Sequence, residues 1–200
     1  MNYFQYLTRS PVTATFLLIC VVVALFTSLG TNKESIAPFL ISVYQNAPLP
    51  EIRQGQIWRL FTPMFLHFSI LHIVFNMMWL IDLGVIIEQR HGSLRLFTLI
   101  MLIALFSNLG EYLWTFYPMF GGMSGVVYGL LGYLWVFGKL NPRSELQLNP
   151  QVVYLMLIWF VLCWTGLLGS IANMAHTVGL LMGVIFAWLF SPNKDLRRIG

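Results

Sequence analysis

The chain is predicted to be an all-α polytopic membrane protein, a compact bundle of six transmembrane helices with both termini cytoplasmic. Three observations carry that expectation. Hydrophobic residues make up 58% of the 200 positions and charged residues only 9%, with a mean hydropathy of +0.77, the balance of a protein whose solvent is largely lipid. The apolar residues gather into six runs long enough to cross, or nearly cross, a hydrocarbon core of about 30 Å. The basic residues divide unevenly between the two sides that those runs define.

Taken in order, the runs cover residues 11–30, 68–88, 95–116, 122–138, 150–168 and 171–190. The first begins at Pro11 and resembles the apolar core of a secretory signal. It is long enough to span, however, and no small-x-small cleavage pattern precedes the polar loop, so it reads as a helix that stays. Residues 31–67 form the one sizeable connection, rich in prolines and charges and carrying the aromatic run Ile57-Trp58-Arg59-Leu60-Phe61. That composition predicts a partly structured element lying in the interface. The remaining runs are joined by short connections. One domain, residues 1–200, accounts for the whole chain, leaving no room for a separate soluble domain.

On one side lie Arg9, Arg90, Arg95, Lys139, Arg143, Lys194, Arg197 and Arg198; on the other lie Lys33, Arg53 and Arg59, a division of eight against three. The positive-inside rule then makes both termini cytoplasmic and turns the large loop outward. The net charge of +4 is spread over helix ends rather than gathered in a patch, which argues against a nucleic-acid partner. Cys20 and Cys163 sit within apolar runs, where a thiol behaves as a small hydrophobe, and give no reason to expect a disulfide.

Counting along each helix from its cytoplasmic end at about 1.5 Å per residue brings four polar side chains to one level. Ser124 lies about 22 Å up the fourth helix, His176 about 24 Å up the sixth, and His72 and Asn76 about 24 and 18 Å up the second. Polar groups at such depth are expected to face the bundle interior or a water-filled cavity. Taken singly, each is accounted for as interhelical hydrogen-bonding glue. The glycines change the balance. Gly121 and Gly122 free the backbone to enter the membrane without helix, leaving amides exposed where the fourth helix starts. Gly125, Gly129 and Gly132 on the fourth helix match Gly179 and Gly183 on the sixth, two smooth strips that let the backbones approach. Ser124 then comes within reach of His176, whose neutral imidazole can take the serine proton as the hydroxyl attacks. Tyr128, one turn from Ser124, is placed to pack on that imidazole. No carboxylate stands at this level as an obvious third member.

The set Gly122-x-Ser124-Gly125 with Tyr128, Ala175-His176-x-x-Gly179, His72-x-x-x-Asn76 and Trp58-Arg59 resembles the rhomboid family of intramembrane serine proteases, in the minimal six-helix form typical of bacteria. The resemblance covers about residues 55–190. It implies that Ser124 is the nucleophile and His176 the base of a Ser-His dyad. It further implies that the Ser124 amide, His72 and Asn76 form the oxyanion hole, that Tyr128 supports the base, and that His67 is structural. Single-pass transmembrane proteins are the implied substrates, the inner (plasma) membrane the implied location, and no metal or organic cofactor is implied. The outer connection at 167–173, with Gly166, Gly169 and Trp164, is a candidate lid.

Other readings of the same residues stand beside this one. A non-catalytic rhomboid-like protein that binds or chaperones transmembrane helices would share the architecture, and a small transporter would use the polar stratum as a pathway. Asp82 and Glu111 fall near opposite ends of their helices, too far apart to share a proton, and read as satisfied packing contacts. His91 falls at another depth and is expected to be solvated. His67, His72 and His176 lack the spacing of a zinc site, and the tryptophans read as interface anchors.

Overall fold

The structure is a computed structural model describing residues 7–144 and 146–192. Among them the regular structure is entirely helical, with six long helices: α1 Pro11–Phe26, α2 Ile70–His91, α3 Ser93–Thr115, α4 Ser124–Leu140, α5 Pro150–Trp164 and α6 Asn173–Phe190. By length and composition α2, α3 and α6 qualify as membrane spans; α1, α4 and α5 are apolar but shorter. Four of the expected runs match a helix to within three residues at each end, and the fifth overruns α5, which stops at Trp164, by four. The first is cut back: after Phe26 the chain leaves the helix through Ser28 and Leu29, both with positive φ, and those last residues form turns instead.

Local chemistry sets most helix ends. Ser69 caps α2 by accepting the His72 amide at 3.1 Å, and Asn149 caps α5 by accepting the Gln151 amide at 2.9 Å, with Pro150 at the first helical position, where its missing N–H is no loss. Gly92, at φ +83°, turns α2 into α3. Of the long helices with no side-chain cap of their own, two are served by a glutamate from a neighbouring helix. The Glu88 carboxylate, at the end of α2, accepts the amides of Val12 and Thr13 and the Thr13 hydroxyl at the start of α1, each at 2.8 Å, and the Ser93 hydroxyl at 2.7 Å. The equivalent bond at the start of α6 comes from Glu111 on α3.

α4 is the axis of the bundle, buried along nearly its whole length from Gly125 to Gly138. It packs face to face with α6. A Cβ on Gly179 would collide with the Gly125 carbonyl, and one on Gly183 with the Gly129 carbonyl, so these two backbones are in direct contact. Deeper, Asn141 and Ser191 exchange hydrogen bonds of 2.9 and 3.2 Å and tie the other ends of the pair together. α5 is peripheral: Tyr154, Leu155, Ile158, Trp159 and Val161 are exposed on its outer face.

The loop before α2 is folded. It contains single helical turns at Lys33–Ile36 and Pro50–Arg53 and 3-10 turns at Ile57–Leu60 and Thr62–Phe65. Arg59, only 8% exposed, organises it, donating to the carbonyls of Ala37 and Leu40 at 2.7 and 2.8 Å and to the Gln56 side chain at 2.7 Å. Nearby, the Glu51 carboxylate accepts the Ser42 hydroxyl at 2.9 Å and the Val43 amide at 2.7 Å. Asn108 on α3 holds the loop to the bundle through the Leu60 carbonyl at 2.9 Å. One expectation is corrected: His91 is not a solvated loop residue. It ends α2, where its ring meets Phe137 edge-on at 4.7 Å and its Nδ1 contacts the Tyr133 hydroxyl at 2.7 Å, because α2 runs three residues beyond the apolar run that predicted it.

Candidate active site

Where α4 begins, the backbone has no room for side chains. The Gly122 amide donates to the Pro63 carbonyl at 2.9 Å, and a Cβ on Gly121 would lie 2.6 Å from Leu66 Cβ. The glycine pair is therefore docked against the loop's last turn. Gly122 has a φ of +122°, a conformation costly for any L side chain, and a Cβ there would lie 2.6 Å from His72 Nε2 and 3.7 Å from Ser124 Oγ. The absent side chain is thus what lets the His72 ring and the Ser124 hydroxyl look into one space.

Ser124 is the first residue of α4, and the first intrahelical bond is Val127 N–H to the Met123 carbonyl at 2.9 Å. The earlier amides of the turn, that of Ser124 included, have no acceptor within the helix. Across the glycine contact stands His176, 4% exposed, with Nε2 2.7 Å from Ser124 Oγ. The other nitrogen, Nδ1, is buried and has no hydrogen-bond partner among the described residues. Tyr128 lies beside the imidazole with ring centroids 4.8 Å apart and planes tilted by 42°. The tyrosine is itself held, its hydroxyl donating to the Met156 carbonyl at 3.3 Å and its ring set edge-on to Phe160.

His72 and Asn76 flank this pair from α2. The Phe68 amide reaches His72 Nδ1 at a long 3.5 Å, which leaves Nε2 as the nitrogen turned toward Gly122. Asn76 is buried, and its Nδ2 donates to the His72 carbonyl at 2.8 Å, using one of two amide hydrogens. No hydrogen bond joins either residue to Ser124 among the described residues.

His67 is fully buried beneath, 5.0 Å from the His72 ring between centroids. Its Nδ1 lies 3.1 Å from the Phe65 carbonyl, an acceptor, so that nitrogen carries the proton. Burial, reinforced by the neighbouring His72 and only partly opposed by the Phe65 bond, pushes its pKa down to about 3. It is a neutral ring that fills space.

A family model for the rhomboid domain matches residues 54–193. The chain belongs to the rhomboid family. Among curated proteins, those named Rhomboid protease GlpG from Salmonella paratyphi A and Salmonella typhi are each 37% identical to it over 188 residues, and that of Salmonella newport 36%. The matches cover 94% of this rhomboid chain and 66% of each relative, so it spans just under two thirds of their length.

Within this rhomboid fold, one residue touching the site was read from sequence as a packing contact. Glu111, near the outer end of α3, accepts the Ala175 amide at 3.0 Å, immediately before His176. The signal available in sequence was indirect. Ala172, at the start of α6, has no side-chain acceptor, and an acid stood at the matching level of a neighbouring helix.

Proposed function

We propose that this rhomboid is an intramembrane serine endopeptidase that hydrolyses peptide bonds in or near the transmembrane segments of other membrane proteins. The observation that carries the reading is the 2.7 Å contact between Ser124 Oγ and His176 Nε2 at the unpaired amide end of a buried helix. His176 Nε2 takes the hydroxyl proton while Oγ attacks the scissile carbonyl, and returns the proton to the departing amine. The carbonyl oxygen becomes an oxyanion, for which the Ser124 amide, His72 Nε2–H and the remaining Asn76 Nδ2 hydrogen are the donors. Water then attacks the acyl-serine with His176 again acting as base. The Tyr128 ring keeps the imidazole from turning away, and Gly122, Gly125 and Gly179 provide the close approach that the contact requires.

In the membrane, the six long helices form six crossings of a single domain with both termini cytoplasmic, placing the site below the outer surface of a bacterial inner membrane. Hydrolysis needs an extended strand, so single-pass substrates whose helices are loosened by Gly, Pro or polar residues are favoured. Leu167 and Leu168, exposed between Gly166 and Gly169, both at positive φ, give the connection after α5 the hinges of a lid.

The test is cleavage of a model transmembrane substrate by purified protein, with and without Ser124→Ala, together with labelling by a serine-directed phosphonate. Wild-type protein cleaves and is labelled, while folded Ser124→Ala and His176→Ala proteins do neither. Substantial turnover by folded Ser124→Ala protein would overturn the assignment, and a wild type that binds transmembrane helices but takes no label is a binding protein.

A further inference from the structure

Among the described residues, no acid bonds to the ring of the proposed base. Nδ1 of His176 is buried without a hydrogen-bond partner among the described residues, so the imidazole is held by Ser124 in front and the Tyr128 ring beside it. Its aim therefore depends on where the first turn of α6 sits. That turn begins at Ala172 with no side-chain cap, and first-turn amides have no acceptor within their own helix. That of Ala175 donates to the Glu111 carboxylate at 3.0 Å, and that of Met174 faces the same carboxylate.

Glu111 is 5% exposed. One turn before it on the same face of α3, Ser107 abuts Gly125, the residue after the serine; a Cβ on Gly125 would lie 3.0 Å from Ser107 Oγ and 3.2 Å from the Ala175 carbonyl. Between them Gly110 admits Val178 of α6. One face of α3 thus touches both the turn that carries Ser124 and the turn that carries His176. Among the described residues, the hydrogen bond between that face and either turn is the one that Glu111 accepts from the Ala175 amide.

We propose that Glu111 is a positioning residue: its carboxylate clamps the first turn of α6 to α3 and so sets the reach of His176 Nε2 to Ser124 Oγ. The role rests on the dyad reading above. In a soluble triad the acid orients the base through the imidazole; here the acid acts through the main chain. A carboxylate suits the task because it offers acceptor oxygens to first-turn amides and a negative charge to the positive end of a helix.

Hydrogen exchange and kinetics on the detergent-solubilised full chain test this. In the wild type, the Ala175 amide exchanges slowly, and in Glu111→Ala about tenfold faster or more, as expected for loss of a charge-assisted bond. The same variant lowers kcat by about 10- to 100-fold with KM unchanged, the cost of a base displaced by a fraction of an ångström to an ångström. Glu111→Gln, which keeps one acceptor, recovers most of that loss. A wild-type Ala175 amide that exchanges at the rate of an unstructured chain overturns the clamp, whatever the activity and even if Glu111→Ala fails to fold. Protection lost with kcat unchanged, or with KM alone raised, overturns the positioning role. Protection present in a wild type that neither cleaves nor takes up the phosphonate shows instead that the dyad reading has failed, and the positioning role falls with it while the clamp remains.

Discussion

At the scale of single residues, the proposed oxyanion donors differ from the proposed dyad in what their loss should do. An oxyanion hole divides the developing charge among several groups, and removing one costs about 10²- to 10³-fold in a soluble serine protease such as subtilisin. His72→Ala and Asn76→Ala are each expected to lower kcat at or below that range, with little effect on KM, because the charge they meet peaks in the transition state. Steady-state kinetics showing only a raised KM would remove both from that role. His67 gives a second expectation. Its folded pKa of about 3 lies below the ordinary 6.5, so the unfolded chain binds the proton more tightly. The neutral ring's contribution to stability is complete above pH 6.5 and is lost as pH falls from there toward 3. The carboxylate of Glu51 adds to the loss at the acid end. Burial alone would raise its pKa, but the Val43 and Glu51 amides, the Ser42 hydroxyl and the Arg59 charge together bring it below the usual value. Thermal unfolding of His67→Gln protein should therefore depend less on pH between 6.5 and 4.5 than that of the wild type; equal slopes would show that His67 is not the group responsible.

At the scale of helices, the α4–α6 seam decides whether the site exists. The contacts at Gly179 and Gly183 are backbone to backbone, and a backbone cannot step aside as a side chain can. Gly183→Val, two turns from His176, should destabilise the fold by about 1–3 kcal/mol or more and reduce phosphonate labelling in the protein that remains folded, measured by a shift in Tm and by label uptake per folded molecule. A Tm within error of the wild type would mean that the helices lie farther apart than the glycine contacts require. The strips were legible in the spacing of Gly125, Gly129 and Gly132 against Gly179 and Gly183. So was their pairing with each other; the register, Gly179 on the Gly125 carbonyl and Gly183 on that of Gly129, was not, because glycine spacing marks a smooth face without fixing which atoms meet on it. The glutamate caps were hidden for a related reason. A cap supplied by a neighbouring helix, as Glu88 supplies α1 and Glu111 supplies α6, leaves no trace at the end that it closes.

For the molecule as a whole, the eight-to-three division of basic residues predicts that reporters fused to the C-terminus are active only when they read the cytoplasm. Activity confined to the outer side would invert the topology and with it the side on which the site opens. Composition determined that the chain is helical and apolar, since unpaired backbone in lipid leaves few alternatives to helix. Residue spacing brought Ser124, His176, His72 and Asn76 to one level, since the rise per residue of a helix is nearly constant. Which faces meet at that level depends on how each helix is rotated about its axis, and that is a property of packing. Only the tertiary structure brought Ser124 Oγ to 2.7 Å from His176 Nε2, turned Asn76 back onto its own helix, packed His91 against Phe137 and set the Glu111 carboxylate on the main chain beside His176. Each of these rests on contacts between residues far apart in sequence, where no local periodicity reaches.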